Sequence, residues 1–482
     1  MRNILSSEDH RYWSGAASGS AVIVDACAYY AAFYHAASLA QRHIVLAGWQ
    51  FDSNVRLLRG AAAEASPYPV ELLPFLNALC SERPELKIYI LAWDYSLVYS
   101  LEREWLQSLK FAFQSSSAIR FEFDAHPSFG GSHHQKLAIV DGVVAFAGGL
   151  DICEERWDDR SHAEEHPLRV TSSGTAARPN HEVQATVQGD AAHALLTLFC
   201  QRWQLALGER LELAVHPASP ARGVDLSRVA PGAVLPLAAQ EVALSRTWPA
   251  GGAWPAAQEV KAAFSAAFQA AERLIYIETQ YFTSRSMTAA LLERLRDASR
   301  PRLQLVLLMP RGADNSKEKF ALGDLQSAML SDLEQAAESH GHQLLFLCSS
   351  AAGERCEQAT FIHSKVLIVD DELLCVGSAN MTERSMALDS ELSLFWQGEP
   401  GSPLSNDIRR VRSSLLAEHS GQPEADLLEI DGLCARLERA IADGSSRLRL
   451  THFEPVSVNA LKQAIFDPSG PSAADAFHDE VP

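Results

Sequence analysis

The chain has 482 residues, enough for two or three ordinary domains or for one duplicated unit, and 47% of them are hydrophobic, which is ample for a buried core. Its formal net charge is -19, from 60 acidic against 41 basic residues, a field that repels polyanions over most of the surface and disfavours a general nucleic-acid binder. The eight cysteines are scattered, with no CxxC pair and no histidines at zinc-finger spacing, and read as small buried hydrophobes of a reducing compartment.

The N-terminus, MRNILSSEDHRYW, is polar and lacks the apolar stretch of a secretory signal, and no uncharged apolar run reaches the ~18 residues a bilayer span requires. The nearest candidate starts at Ala26 and is broken by His35, Gln41, Arg42 and His43, so it predicts an amphipathic helix followed by a buried strand. The expectation is a cytoplasmic or peripheral membrane protein, with export by a route lacking an N-terminal signal left open.

Four apolar segments follow in the first half: HIVLAGWQFD (43–52), KIYILAWDYS (87–96), IRFEFDAH (119–126) and SHHQKLAIVDGVVAFAGGLD (132–151). The second half repeats the series after a helix at 260–274, with IYIETQYF (275–282), LQLVLLMP (303–310), LLFLCSS (344–350) and FIHSKVLIVDDELLCVGSAN (361–380). Short apolar runs bounded by polar residues suit strands covered on both faces. Ile44 and Ile275 are separated by nearly the same distance as His134 and His363, which a tandem duplication explains. Helices over 191–207 and 406–419 would close the halves. The expected division is 1–213, a Pro-, Ala- and Gly-rich linker at 214–237, and 238–482 with a loosely ordered tail from Phe466.

Both long runs contain the spacing HxKxxxxD: His134, Lys136 and Asp141, then His363, Lys365 and Asp370. At this composition the pattern arises by chance at roughly one start in thirty thousand, so two copies at equivalent positions are not an accident. Lysine is scarce in this chain, yet two lysines sit inside apolar runs, where an ammonium without a charged partner is expensive. Residues two apart in a strand share a face, so each histidine and lysine would lie side by side as an anion pocket, while His133 would face away. The aspartates, at odd offset from the lysines, are expected to be structural hydrogen-bonding groups. Small residues after each, Gly148-Gly149-Leu150-Asp151 and Gly377-Ser378-Ala379-Asn380, let the backbone approach a bound group. Asn380 can donate its amide to a nonbridging oxygen; Asp151 cannot when ionised, so the half-sites are not equivalent.

These runs, with GWQFD and ETQYF before them and GGLDICEERWD and GSANMTERSM after them, resemble the twin motifs of the phospholipase D superfamily over residues 40 to 420. The resemblance implies an α/β protein of two tandem α-β-α sandwich domains with mixed β-sheets, related by a pseudo-twofold and sharing one active site. A phosphodiester would bind between the motifs. Such chemistry needs an in-line nucleophile, a proton donor for the leaving oxygen and positive groups on the nonbridging oxygens, which two histidines and two lysines supply without a metal or other cofactor.

An attacking imidazole needs an acceptor for its Nδ1 proton, and the acid-base imidazole benefits from a carboxylate. Glu182 in PNHEVQATV and Glu391 in LDSELSLF take these roles by resemblance, although the first interval from motif to acid is the longer and many relatives carry aspartate there. Spacing does not say which histidine attacks; the resemblance implies His134, with His363 as acid and then base. Asp151, Ser378 and Asn380 are assigned to the substrate.

Trp49, Trp93, Trp157 and Trp203 read as core or cleft wall, and Glu154, Glu155, Asp158 and Asp159 as a solvated loop. The family acts on several substrates, so the motif alone does not select one. The acidic balance counts against the nucleases, and the motif context most resembles the lipid-acting phospholipases D. The expected substrate is a phospholipid at a membrane surface, with water or a small alcohol as acceptor. A cardiolipin synthase-type phosphatidyltransferase is the alternative within lipid chemistry, a nuclease-type phosphodiesterase the second, and a catalytically silent lipid-binding scaffold the non-enzymatic one.

Overall fold

In a computed structural model the described residues are 3–94, 111, 114–125, 131–249, 255–311, 316–352, 358–453, 456 and 467–468. The chain divides into two compact units, one of residues 14–126 and 132–242, the other of 1–13, 127–131 and 243–482. The expected tail lies outside the described residues apart from Asp467 and Pro468.

The first unit is built on an eight-stranded mixed sheet. Its strands are β1 (Gly19–Val24), β2 (His43–Gly48), β3 (Lys87–Trp93), β4 (Ile119–Asp124), β5 (Lys136–Val140), β6 (Val144–Gly148), β7 (Val183–Gln188) and β8 (Val234–Leu237). The order across the sheet is β8-β1-β7-β6-β5-β2-β3-β4. The β2, β3 and β4 trio is parallel and the other pairings are antiparallel. Helix α1 (Asp25–Ser38) and helix α2 (Leu72–Glu82) share one apolar cluster with Ile44, Leu46 and Phe146. Val45 is fully buried but points to the other face, where α3 (Asp190–Leu207) packs. With both faces covered, β2 has no need of polar alternation, which is why its sequence is a continuous apolar run.

The second sheet contains β9 (Glu241–Trp248), β10 (Leu274–Glu278), β11 (Gln304–Leu308), β12 (Gln343–Ser349), β13 (Val366–Val369), β14 (Leu373–Gly377), β15 (Glu391–Gln397) and β16 (Leu448–Leu450). These run in the order β9-β15-β14-β13-β10-β11-β12-β16. From β1 and β9 onward the two orders match strand for strand, including the parallel trio β10, β11 and β12 and the antiparallel hairpin β13–β14. Helices α4 (Glu259–Ala270), α5 (Arg285–Arg296) and α6 (Ser316–His340) lie on the face that carries Ile275 and Ile277. Helices α7 (Pro403–Ser420) and α8 (Leu433–Ala442) complete the unit. The duplication expected from the spacing is therefore a duplication of topology.

Residues 214–237, expected as a linker, are part of the first unit. They form a short helix, Leu226–Val229, and edge strand β8, which pairs with β1 alone. An edge position tolerates Pro236, whose missing N–H can face away from the sheet, so the proline did not prevent a strand.

Candidate active site

Each motif is built around a hairpin whose turn is held by the motif aspartate. Between β5 and β6 the turn residues Asp141 and Gly142 have φ of 52° and 67°, and between β13 and β14 Asp370 and Asp371 have φ of 56° and 58°. Two consecutive left-handed residues give the twist a hairpin needs, and Gly142 adopts that conformation at no steric cost. Asp371 has no such freedom. Its carboxylate is clamped by the buried Arg412 guanidinium, Nε to Oδ1 at 2.6 Å and Nη2 to Oδ2 at 2.8 Å.

The aspartate carboxylates then do the same work in both halves. Asp141 accepts the backbone amides of Gln41 (2.8 Å), Arg42 (2.8 Å) and His43 (2.9 Å), and the Ser219 hydroxyl at 2.6 Å. Asp370 accepts the amides of Glu272 (2.7 Å), Arg273 (2.8 Å) and Leu274 (2.8 Å). Each one ties its hairpin to the start of the neighbouring antiparallel strand, β2 or β10. Burial holds the Asp370 carboxyl above the usual range, although these amides pull it down.

The histidines stand just ahead of the strands. The ladders begin at Lys136 and Val366, so the HxK tripeptides are not strand interiors as the alternation argument assumed. The lysines are nonetheless buried, Lys136 at 2% and Lys365 at 4% exposure, and each ammonium folds back to donate to the carbonyl of its own motif histidine, Lys136 to His134 at 3.2 Å and Lys365 to His363. That contact ties each ammonium to the main chain of its motif histidine and not to the imidazole. His134 meets the edge of the Trp49 ring, with centroids 5.6 Å apart, and His363 lies beside Phe361 at 6.1 Å.

The loops that follow differ between halves. Asp151 pairs with Lys136 at 3.1 Å and accepts the Trp49 amide at 2.8 Å, so the carboxylate assigned to substrate is bonded to the motif lysine. A Cβ on Gly48 would come within 2.7 Å of that carboxylate, which is why the GWQFD segment opens with glycine. Tyr30, buried in α1, anchors the loop by donating to the Asp151 and Cys153 carbonyls at 3.0 and 2.8 Å. At the equivalent place in the second half stands neutral Asn380, and Ser378 donates to Glu391 while its oxygen accepts the Leu392 amide at 3.0 Å.

Sheet register aligns the two glutamates. Gly148 pairs with Gln184, and Gly377 pairs with Ser393. Since Gly148 and Gly377 hold the same place after their motif aspartates, Glu182 and Glu391, each two residues before its paired partner, are equivalent positions. Both are fully buried. The long first interval is an insertion before β7 and does not displace the residue.

A scan against family models matches residues 114–225 to "Phospholipase D" and residues 264–411 to "Cardiolipin synthase, PLD-like domain". Among curated proteins, phospholipase D alpha 1 of Ricinus communis is 24% identical over 82% of this chain, and phospholipase D alpha 2 of Arabidopsis thaliana 23% identical over 82%. The chain spans 64% of the length of each of these relatives. The chain belongs to the phospholipase D superfamily. The crystal structure of phosphatidylserine synthase from Haemophilus influenzae Rd KW20 shares the fold, with a TM-score of 0.55 at 14% identity, over 91% of this chain and 95% of that one.

Several buried polar groups of this superfamily member have partners that the sequence did not reveal. His133, expected to face away from His134, pairs through Nε2 with Asp124 at the end of β4 (2.9 Å), and Arg202 of α3 donates to the same oxygen at 3.0 Å. Desolvation raises the Asp124 pKa, but His133 and Arg202 outweigh it and the net shift is downward. In the second unit Glu278 ends β10 and accepts from Ser364, between His363 and Lys365, at 2.5 Å, and from Tyr276 at 2.5 Å, with His419 at 3.3 Å. Only ETQYF, which contains Glu278, hinted at it. Asp158, read as part of a solvated loop, is fully buried because Arg169, His162 and the Asn180 amide converge on its carboxylate. Trp93, Trp157 and Trp203 are buried as expected, and Trp49 packs against Trp93 with ring centroids 4.3 Å apart.

Proposed function

We propose that this protein is a phospholipase D-type phosphodiesterase that cleaves glycerophospholipids to phosphatidate and a free head-group alcohol, with exchange to small alcohols as a side reaction. The observation that carries the reading is the repeated half-site: in both units a buried lysine is folded onto its motif histidine, an aspartate fixes the hairpin, and a buried glutamate sits at the same register.

In the proposed reaction both half-sites serve one phosphorus. Nε2 of His134 attacks the diester phosphorus as the bond to the head-group oxygen breaks, and His363 gives that oxygen its proton. A phosphatidyl-histidine and a free alcohol result. His363, now neutral, takes a proton from water, whose oxygen displaces His134 and yields phosphatidate. Lys136 and Lys365 hold the nonbridging oxygens through both transition states, and Glu182 and Glu391 orient the imidazoles. An alcohol in place of water gives the exchanged phospholipid.

Incubating the purified chain with defined phospholipids and ethanol, and weighing the products, tests the reading. Phosphatidate and phosphatidylethanol are expected. Cardiolipin formed from phosphatidylglycerol in preference to either would favour the synthase-type transferase, and absence of all three under any phospholipid would overturn the lipid assignment.

A further inference from the structure

Apart from the motif residues, the first unit contains a buried cluster in which two imidazoles and a carboxylate converge. Asp25 opens α1, His162 lies in the loop after GGLDICEERWD, and His181 precedes Glu182. None is more than 1% exposed, and one ligand atom from each lies within 4.8 Å of the others. Asp25 Oδ1 is 3.2 Å from His181 Nδ1, and Asp25 Oδ2 is 3.6 Å from His162 Nε2. In a tetrahedral zinc site with bonds of about 2.0–2.2 Å, neighbouring ligand atoms are separated by about 3.3–3.6 Å. The two imidazole contacts lie near that spacing, each through a different oxygen of Asp25, and a single atom from each residue keeps the three within 4.8 Å.

Its outer contacts are those a metal site requires. His162 Nδ1 donates to Asp158 Oδ2 at 2.9 Å, which leaves the Nε2 lone pair directed to the Asp25 side. Asp158 is itself fixed by Arg169 at 2.9 Å and by the Asn180 amide at 2.9 Å. Asp25 accepts the Glu182 amide at 3.1 Å and donates its own amide to the Glu182 carbonyl at 2.8 Å. Among the described residues, two of the five non-glycine positions with positive φ belong to this cluster, Asp25 at 66° and His162 at 43°. Backbone held there without glycine costs ~1–3 kcal/mol and persists where side chains are committed elsewhere.

We infer that Asp25, His162 and His181 bind a divalent transition-metal ion, zinc by preference, with the fourth corner taken by water or another oxygen donor. Two imidazoles exclude magnesium and calcium, which take oxygen ligands. The ion answers the buried Asp25 charge and, through the paired amides, fixes the backbone that carries Glu182. It contributes to folding and takes no part in the phosphorus chemistry.

The test uses the full chain purified without a histidine tag. Elemental analysis is expected to find one zinc ion per chain. Replacing it with cobalt should give the intense visible bands of a tetrahedral ion, and loss of metal should lower the melting temperature reversibly. His162→Gln and His181→Gln should abolish the cobalt spectrum, and Asp158→Asn should weaken cobalt binding about 10–100-fold. Should the variants fail to fold, the wild-type protein decides alone. A folded wild-type chain that takes up neither zinc nor cobalt at stoichiometric concentration overturns the proposal, as does uptake unchanged in folded variants; the cluster is then held by shared protons. Every readout is independent of turnover, so failure here is distinguishable from failure of the phospholipase reading.

Discussion

At the scale of the residue, the lysines are the sharpest test of the half-sites. Each ammonium is buried and aimed by its own histidine carbonyl, and Lys136 is also paired with Asp151, so burial and a fixed direction set both charges in place before any substrate binds. Lys136→Ala and Lys365→Ala are each expected to lower kcat by about 10²–10³-fold or more, measured on protein that circular dichroism shows to be folded. Turnover within a few-fold of wild type in either variant would remove the proposed anion pocket. Asp467 supports a prediction of a different kind. Its carboxylate accepts Thr283 Oγ1 at 2.6 Å and the Glu383 and Arg384 amides at 3.0 and 2.8 Å, yet desolvation pushes its pKa from 3.8 to about 6. The folded state therefore binds this proton more tightly than the unfolded state. Its contribution to stability is full below the unfolded pKa and is lost as pH rises toward about 6, an effect of about 2–3 kcal/mol. Chemical denaturation at about pH 4.5 and about pH 8 should show wild type losing that much relative to Asp467→Asn on going to the higher pH. An equal response of the two proteins would contradict it.

At the scale of the element, the hairpin turns explain why the motif includes an aspartate that touches no substrate in the proposed reaction. Removing the Asp141 or Asp370 carboxylate leaves three backbone amides without their acceptor, each costing about 1–3 kcal/mol where buried. Asp141→Ala and Asp370→Ala should therefore lose stability by several kcal/mol in urea titrations, with activity falling in step with the folded fraction. Normal stability with lost turnover would instead make these aspartates catalytic. Arg412→Ala strands the Asp371 carboxylate in a left-handed turn and should cost about 3–5 kcal/mol. These elements also show what was legible beforehand. Strands β2, β3, β10 and β11 were readable because burial on both faces makes them unbroken apolar runs. Edge strand β8 was not, since Pro236 and its flanking small residues look like a linker until a neighbouring strand supplies the partner.

At the scale of the whole molecule, the repeated half-site was legible because HxKxxxxD is local: eight residues carry the histidine, the lysine and the turn that positions them. Glu182 and Glu391 were reachable through the family resemblance, and only the register of β6 with β7 and of β14 with β15 made them equivalent on physical grounds. The Asp124–His133 pair, the Glu278–Ser364 bond and the Asp25 cluster join residues from different elements, and no short pattern announces them. The topology of β1 to β7, repeated in β9 to β15, accounts for two half-sites in one chain. What they do together is a matter of chemistry. A phosphatidyl ester of p-nitrophenol needs no acid to release its leaving group, so it separates the two histidines. The two-histidine mechanism predicts that His363→Asn releases one equivalent of nitrophenol in a burst and then stalls as a phosphatidyl adduct on His134, while His134→Asn gives no burst. Steady turnover by both variants, or an adduct on neither histidine in any of the three proteins, would contradict it.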